Sequence, residues 1–151
     1  MVWIETRAQA NINVRGEPSD VFALVCDVPT VGGFALGVDR IDDLGDNRYR
    51  WVMTARRAVG TVFRPEYVSQ YHSDGKGELR FESIEGNVKA NGVWRVSGGS
   101  GAVRLSLEVT SSVDVPIPRL LKKPAELFAR LEASRGVDTQ LKRIKERIER
   151  G

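Results

Sequence analysis

The stretch from Pro118 to Arg150 constrains this chain more than any other. Its apolar residues are Leu120, Leu121, Leu127, Phe128, Leu131, Val137, Leu141, Ile144 and Ile148, and from Val137 onward they recur at spacings of four, three and four. That is the repeat of one face of an α-helix. So long a helix cannot bury its stripe alone and requires a partner surface. The middle of the chain offers one, in segments that alternate apolar and polar residues. The expected arrangement is a sheet curved around the helix, with Leu127, Leu131, Leu141, Ile144 and Ile148 as the helix's inner wall. Gly136 separates two periodic segments, so the helix is expected to bend or divide there, and Pro124 marks a break near its start.

The chain opens on a strand. Ile4, Thr6, Ala8, Ala10, Ile12 and Val14 occupy even positions with polar residues between them, and Gly16 ends the run. Pro18-Ser19-Asp20 introduces a short helix to about Asp27, with Ser19 or Asp20 as its cap. A second short helix is expected over Val31–Leu36, weakened by Gly32 and Gly33. Strand patterns then run from Val38 to Ser112. They cover Val38–Leu44, Arg48–Arg57, Thr61–His72, the alternation around Leu79, Phe81 and Ser83, then Val88–Val96 and Val103–Val109. Pro65 inside the Thr61–His72 run indicates an edge or a bulge. Short turns such as Gly45-Asp46-Asn47, Ser73-Asp74-Gly75-Lys76-Gly77 and Ser97-Gly98-Gly99-Ser100-Gly101 make the series an antiparallel meander with one apolar, aromatic face. The fold class is therefore α+β: a curved antiparallel sheet of about seven strands and a long C-terminal helix, in a single domain over residues 1–151.

Composition narrows the function classes. At 41% hydrophobic and 28% charged residues the chain is an ordinary globular protein. No run is long and apolar enough for a membrane-spanning helix. The N-terminal residues lack a basic start followed by an apolar core, so a cytoplasmic location is the expectation. The net charge of +3 is uneven, because Arg119–Arg150 holds ten Lys/Arg against five Asp/Glu. That basic face is expected to be mainly solvated, with a weak contact to an anionic membrane as its functional alternative. Nucleic-acid binding is not expected, because aromatic residues are not interleaved with these cations.

The residues Ile12-Asn13-Val14-Arg15-Gly16-Glu17-Pro18-Ser19-Asp20-Val21-Phe22-Ala23-Leu24-Val25-Cys26-Asp27-Val28-Pro29 add a resemblance. They resemble the opening of the START-like, Bet v 1-like (SRPBCC) superfamily, which includes polyketide cyclase/dehydrase and coenzyme-Q-binding types. The order strand, two short helices, six strands, long helix is similar to that superfamily over essentially the whole chain. Residues 31–37 depart from it, being Gly-rich where many relatives carry an aromatic and a proline. The resemblance implies a helix-grip architecture with a cavity for an apolar or amphipathic molecule such as a lipid, an isoprenoid quinone or a polyketide. It brings no catalytic signature.

The candidate ligand-binding residues are Trp51, Met53, Phe63, Tyr67, Phe81 and Trp94 on the inward register of the strands, with Phe128 and Leu131 on the helix. Met and aromatic side chains suit adaptable apolar pockets. Gly92 and Ala90, small beside Trp94, would leave room for a ligand. Chemistry is sparser. With one His and one Cys, no usual metal cluster can form, and neither a metal nor a cofactor is expected. Weak catalytic candidates are Tyr67, Glu66 and the sole histidine, His72, with Arg56 and Tyr71 as further polar residues for a cavity. By alternation Glu66 points away from Tyr67 unless Pro65 shifts the register. The leading expectation is a binding or carrier protein for an apolar small molecule. A cyclase- or dehydratase-type enzyme is the second, and a module that docks on membranes or a partner through the basic helix is the third.

Overall fold

The computed structural model describes residues 2–58 and 60–151. Strand β1 (Val2–Val14) leads into helices α1 (Pro18–Cys26) and α2 (Val28–Gly32). Strands β2 (Val38–Gly45), β3 (Arg48–Met53), β4 (Arg56–Ala58), β5 (Thr61–Phe63), β6 (Glu66–Ser73), β7 (Glu78–Gly86), β8 (Val88–Gly99) and β9 (Ala102–Val115) follow, then helix α3 (Lys122–Arg150). Seven strands form one antiparallel sheet in the order β1-β9-β8-β7-β6-β3-β2, with β4 and β5 as a separate hairpin. This is the helix-grip arrangement, α+β, with a long C-terminal helix against a curved sheet.

Several boundaries differ from the sequence expectation. The alternation of Arg48–Arg57 continues past Met53, but the chain leaves the sheet at Thr54, whose N–H donates to the Gly37 carbonyl at 2.9 Å. Pro65 divides β5 from β6. It has no N–H to give the ladder, while its carbonyl still accepts from Met53 N at 2.9 Å. Helix α1 starts earlier than a Ser19 or Asp20 cap would allow, because Pro18 takes the first helical position and Glu17 is the N-cap. Helix α2 lies at Val28–Gly32 rather than Val31–Leu36, because Asp27 caps it. The Asp27 carboxylate accepts from Thr30 Oγ1 at 2.8 Å and from Thr30 N at 3.4 Å. Gly32 then packs so closely that a β-carbon there would overlap Ile41 and Trp51.

Helix α3 is the largest correction. It is one continuous helix through Gly136. Its second half meets the expectation, with Leu141 and Ile144 at 1% and 0% exposure and Ile148 packed on the core. Its first half does not. Leu127, Phe128 and Leu131 are 57%, 62% and 60% exposed. The contact face there is Ala125 and Ala129, against Val2, Ile4 and Ile117, followed by Ala133 on the main core. Ala125, Ala129, Ala133, Val137 and Leu141 advance in steps of four, so the buried stripe drifts around the helix. Small side chains let α3 lie close to β1 and turn the larger ones outward.

Polar contacts fasten the same second half. Gln140 Nε2 donates to the Val31 carbonyl at 3.0 Å, Arg143 to Phe34 O at 2.9 Å and Lys145 Nζ to Asn13 O at 2.7 Å. Glu149 accepts from Lys145 at 2.7 Å and from Arg15 N at 3.0 Å. The Lys145 bond, then the Arg15 backbone bond, lower its pKa from 4.5 to about 2.

Three measurements check this account. Ile144→Ala is expected to cost about 2–5 kcal/mol of unfolding free energy in urea, whereas Leu131→Ala stays within about 0.5 kcal/mol. Gly136 meets nothing that an added β-carbon would touch, so Gly136→Ala should stabilise the helix by about 1 kcal/mol. A gating hinge at Gly136 would instead show a loss. For Glu149 the folded pKa is depressed, so its stabilisation is complete above the unfolded value of 4.5 and is lost as pH falls toward about 2. The urea midpoints of the parent and Glu149→Gln should therefore differ at neutral pH and converge over that acidic range.

Candidate functional site

The registers of the meander stack inward side chains in rows across the concave face. At the end covered by α1, α2 and the second half of α3, one row runs Leu79, Trp94, Leu107, Ala10. The next runs Tyr71, Phe81, Gly92, Val109, Ala8. Tyr71 and Phe81 lie with ring centroids 5.4 Å apart, and Tyr49 meets Tyr71 edge-on at 5.6 Å. A β-carbon at Gly92 would overlap the Phe81 ring. The room expected beside Trp94 at Gly92 is therefore taken by Phe81, and this end is packed core apart from a small hollow beside Cys26.

The other end differs. Its first row is Tyr49, Ser69, Ser83, then Ala90, Ser111 and Thr6. Ser83 Oγ joins its two halves by accepting from Ala90 N at 3.1 Å. The hydroxyls of Thr6 and Ser111 hydrogen-bond at 2.7 Å. Ser69 is 1% exposed, and its hydroxyl has no hydrogen-bond partner among the described residues. The following row holds Trp51 and Tyr67, their rings parallel within 3° and 6.1 Å apart. Inward-register Thr6, Met53, Tyr67, Ser83, Ser111 and Val113 are only half-buried here. Solvent thus reaches the concave face between the sheet and the first half of α3, and the surface it meets is apolar and aromatic with a line of hydroxyls.

Burial raises the phenol pKa of both Tyr67 and Tyr71 well above the ordinary tyrosine value. Both therefore stay neutral at physiological pH and act as hydrogen-bond donors or acceptors, not as bases. The Trp51 indole offsets part of this at Tyr71, although Trp51 Nε1 makes no hydrogen bond of good geometry among the described residues. The thiol of Cys26 is likewise pushed up, first by burial. It lines a hollow of about 70 Å³ with Tyr49, Tyr71 and Ser73.

The structure separates the proton-transfer candidates. Tyr67 faces the cleft. Glu66, beside it on the outward register, has its N–H held by Asn87 Oδ1 at 2.8 Å. His72 is on the outer face, 3.5 Å from Glu82. Arg56 pairs with Glu132 of α3 and so ties the β4–β5 hairpin to that helix. Among the ligand candidates, Trp51 and Tyr67 come together, Met53, Phe63 and Phe81 are half-buried, and Trp94 belongs to the core. Phe128 and Leu131 stand in solvent on α3. No cluster of three or more His, Cys, Asp or Glu able to hold a metal occurs among the described residues. An open groove of about 440 Å³ crosses the outer sheet face near Arg80, Asn91 and Arg95. Both arginines pair with Glu78, so this groove is a lattice of surface ion pairs and not a second chemical site.

Sequence reading did not single out Thr6, Ser69, Ser83 and Ser111. The available signal was a small hydroxyl residue at an inward position in strands otherwise apolar on that face. No helix among the described residues is long and apolar enough to cross a membrane.

No protein-family model and no curated protein sequence matches the chain. Solved structures do. A protein from Thermus thermophilus shares 20% identity over 95% of this chain and 97% of its own, with a TM-score of 0.71. A START superfamily protein from Mycobacterium smegmatis shares 12% identity over 95% and 97%, with a TM-score of 0.65. The Streptomyces aromatase/cyclase Zhui shares 15% identity over 97% and 94%, also with a TM-score of 0.65. At such identities the likeness speaks for the backbone, and it agrees with the element order and sheet topology described above: the chain has the START/Bet v 1-like (SRPBCC) fold.

Proposed function

We propose that this chain binds a small amphipathic molecule, apolar in body and bearing oxygen functions, between the sheet and the first half of α3. One observation carries the reading: inward-facing residues at this end stay half-open to solvent and include a row of hydroxyls. A fully packed core would bury them. A polar group shielded from water requires a partner, and Ser69 has none among the described residues. A ligand oxygen would supply it. Trp51, Met53, Phe63 and Tyr67 would hold the apolar body, with Phe81 and Trp94 beneath, while the exposed Phe128 and Leu131 would stand outside this space. A lipid, an isoprenoid quinone or a polyketide-like molecule fits this description, in a carrier expected to act in the cytoplasm.

The cyclase- or dehydratase-type reading has less support. A Streptomyces aromatase/cyclase shares the fold, but of the three proton-transfer candidates only Tyr67 faces the cleft, and its phenol is neutral.

Native mass spectrometry and fluorescence titration test the proposal. The protein should take up a fluorescent fatty acid or a short-chain quinone. Tyr67→Phe and Ser69→Ala should each weaken quinone binding by up to about tenfold, with hydrocarbon-probe binding unchanged. Ser69→Ala should leave the unliganded protein at least as stable, because it removes a buried, unbonded hydroxyl. Absence of uptake of fatty acid, quinone and apolar probe alike overturns the proposal.

A further inference from the structure

The first half of α3 carries a surface that the cleft does not account for. Leu131 lies one helical turn beyond the adjacent Leu127 and Phe128 on one side of the helix, and all three are more exposed than buried. Leu120, in the Arg119–Leu121 turn just before the helix, is 92% exposed. Single exposed leucines are ordinary, but a contiguous set marks a contact surface. Lys123 precedes Leu127 by one turn and Arg130 follows it by one, and neither forms an ion pair among the described residues. Of the two acidic residues in this half, Glu126 and Glu132, the second is engaged by Arg56. Glu126 lies on the flank between Lys123 and Arg130, so the ridge is apolar at its crest and carries two cations against one carboxylate at its flank.

We propose that this ridge docks the protein on an anionic lipid bilayer, with the leucines and Phe128 in the headgroup–acyl boundary and Lys123 and Arg130 on lipid phosphates. Two features favour a bilayer over a protein. The apolar side chains project from a convex helix instead of lining a groove, and a fluid interface needs no matching shape. Their cationic flank complements anionic headgroups, whereas a second copy of the chain would bring two positive flanks together. The proposal is independent of what the cleft binds, because it rests on residues that face away from the sheet.

Co-sedimentation of the full chain with vesicles tests it, using phosphatidylcholine alone and phosphatidylcholine mixed with phosphatidylglycerol. Binding is expected to the mixed vesicles only and to weaken at high salt. Lys123→Glu with Arg130→Glu should reduce it by about tenfold or more. Leu127→Ser with Phe128→Ser and Leu131→Ser should reduce it at least as far. Lys142→Glu, on the other half of the helix, should leave it unchanged. These positions are exposed, and circular dichroism with urea unfolding checks that each variant folds. The proposal is overturned by failure to bind anionic vesicles, by binding that the ridge variants do not reduce, or by equal loss in Lys142→Glu, which would make it a general charge effect. Sedimentation velocity showing a dimer that the serine variants dissolve would also overturn it, assigning the ridge to a second copy.

Discussion

The packing of Val137, Leu141, Ile144 and Ile148 onto the sheet is the contact on which the rest of this structure depends. These side chains meet the deepest rows of the concave face, where Leu105, Val103 and Trp94 are almost wholly buried. Burial of this kind contributes about 1.5–3 kcal/mol for each large aliphatic side chain. It also fixes the helix direction. Ile148 sits over Gly16, where a β-carbon would lie 2.8 Å from its Cγ2. Gln140 reaches Val31 in α2, Arg143 reaches Phe34 just after it, and Lys145 reaches the end of β1. Once that half is seated, a single continuous helix must carry its other half over the remaining end of the sheet.

What it carries there is small. Ala125, Ala129 and Ala133 bring the backbone close to β1 but fill little of the space between helix and sheet. The sheet supplies serines and a threonine in that region where the other end supplies Leu, Trp and Phe. Both partners are thus depleted of bulk at one end. The half-burial of inward-facing residues at this end follows from the distribution of side-chain volume along two elements and needs no special loop. Hydroxyls suit the place, because they hydrogen-bond locally or to water when the cleft is empty.

Much of this was legible in the sequence, for identifiable reasons. Strict period two in β1, β8 and β9 and large apolar residues at helical spacing in the second half of α3 are strong signals, and they placed the sheet, its apolar face and the closing helix. The first half of α3 misled because Leu127 and Leu131 continue the count of large residues. Alanines carry little hydrophobic weight, so the true contact stripe was hard to see. The division of β3 from β4 was hidden because alternation persists while the chain turns at Thr54. Pro65, by contrast, announced a break. The hydroxyls could be read singly as inward positions, but their alignment into a row could not be read without registers. Its alignment depends on a bulge between Val68 and Ser69 that sets which residue of β7 faces Ser69. A one-residue slip there would move Ser83 to the outer face.

The two ends of the molecule therefore differ in how firmly they are held. The second half of α3 is secured by buried aliphatic contacts and by hydrogen bonds to backbone carbonyls of α2, of Phe34 just after it and of β1. The first half is secured by alanine contacts to Val2, Ile4 and Ile117 and by the Arg56–Glu132 ion pair to the hairpin. Exposed ion pairs of this kind contribute at most about 1 kcal/mol, and alanine contacts bury little area. Local opening is least costly where few apolar contacts must be broken, and the contact between α3 and the hairpin has fewer of them than the second half of α3 has with the sheet. That contact lies on the same helical turns as the apolar ridge. The asymmetry in side-chain volume between the two ends is thus also an asymmetry in how firmly each half of the helix is held.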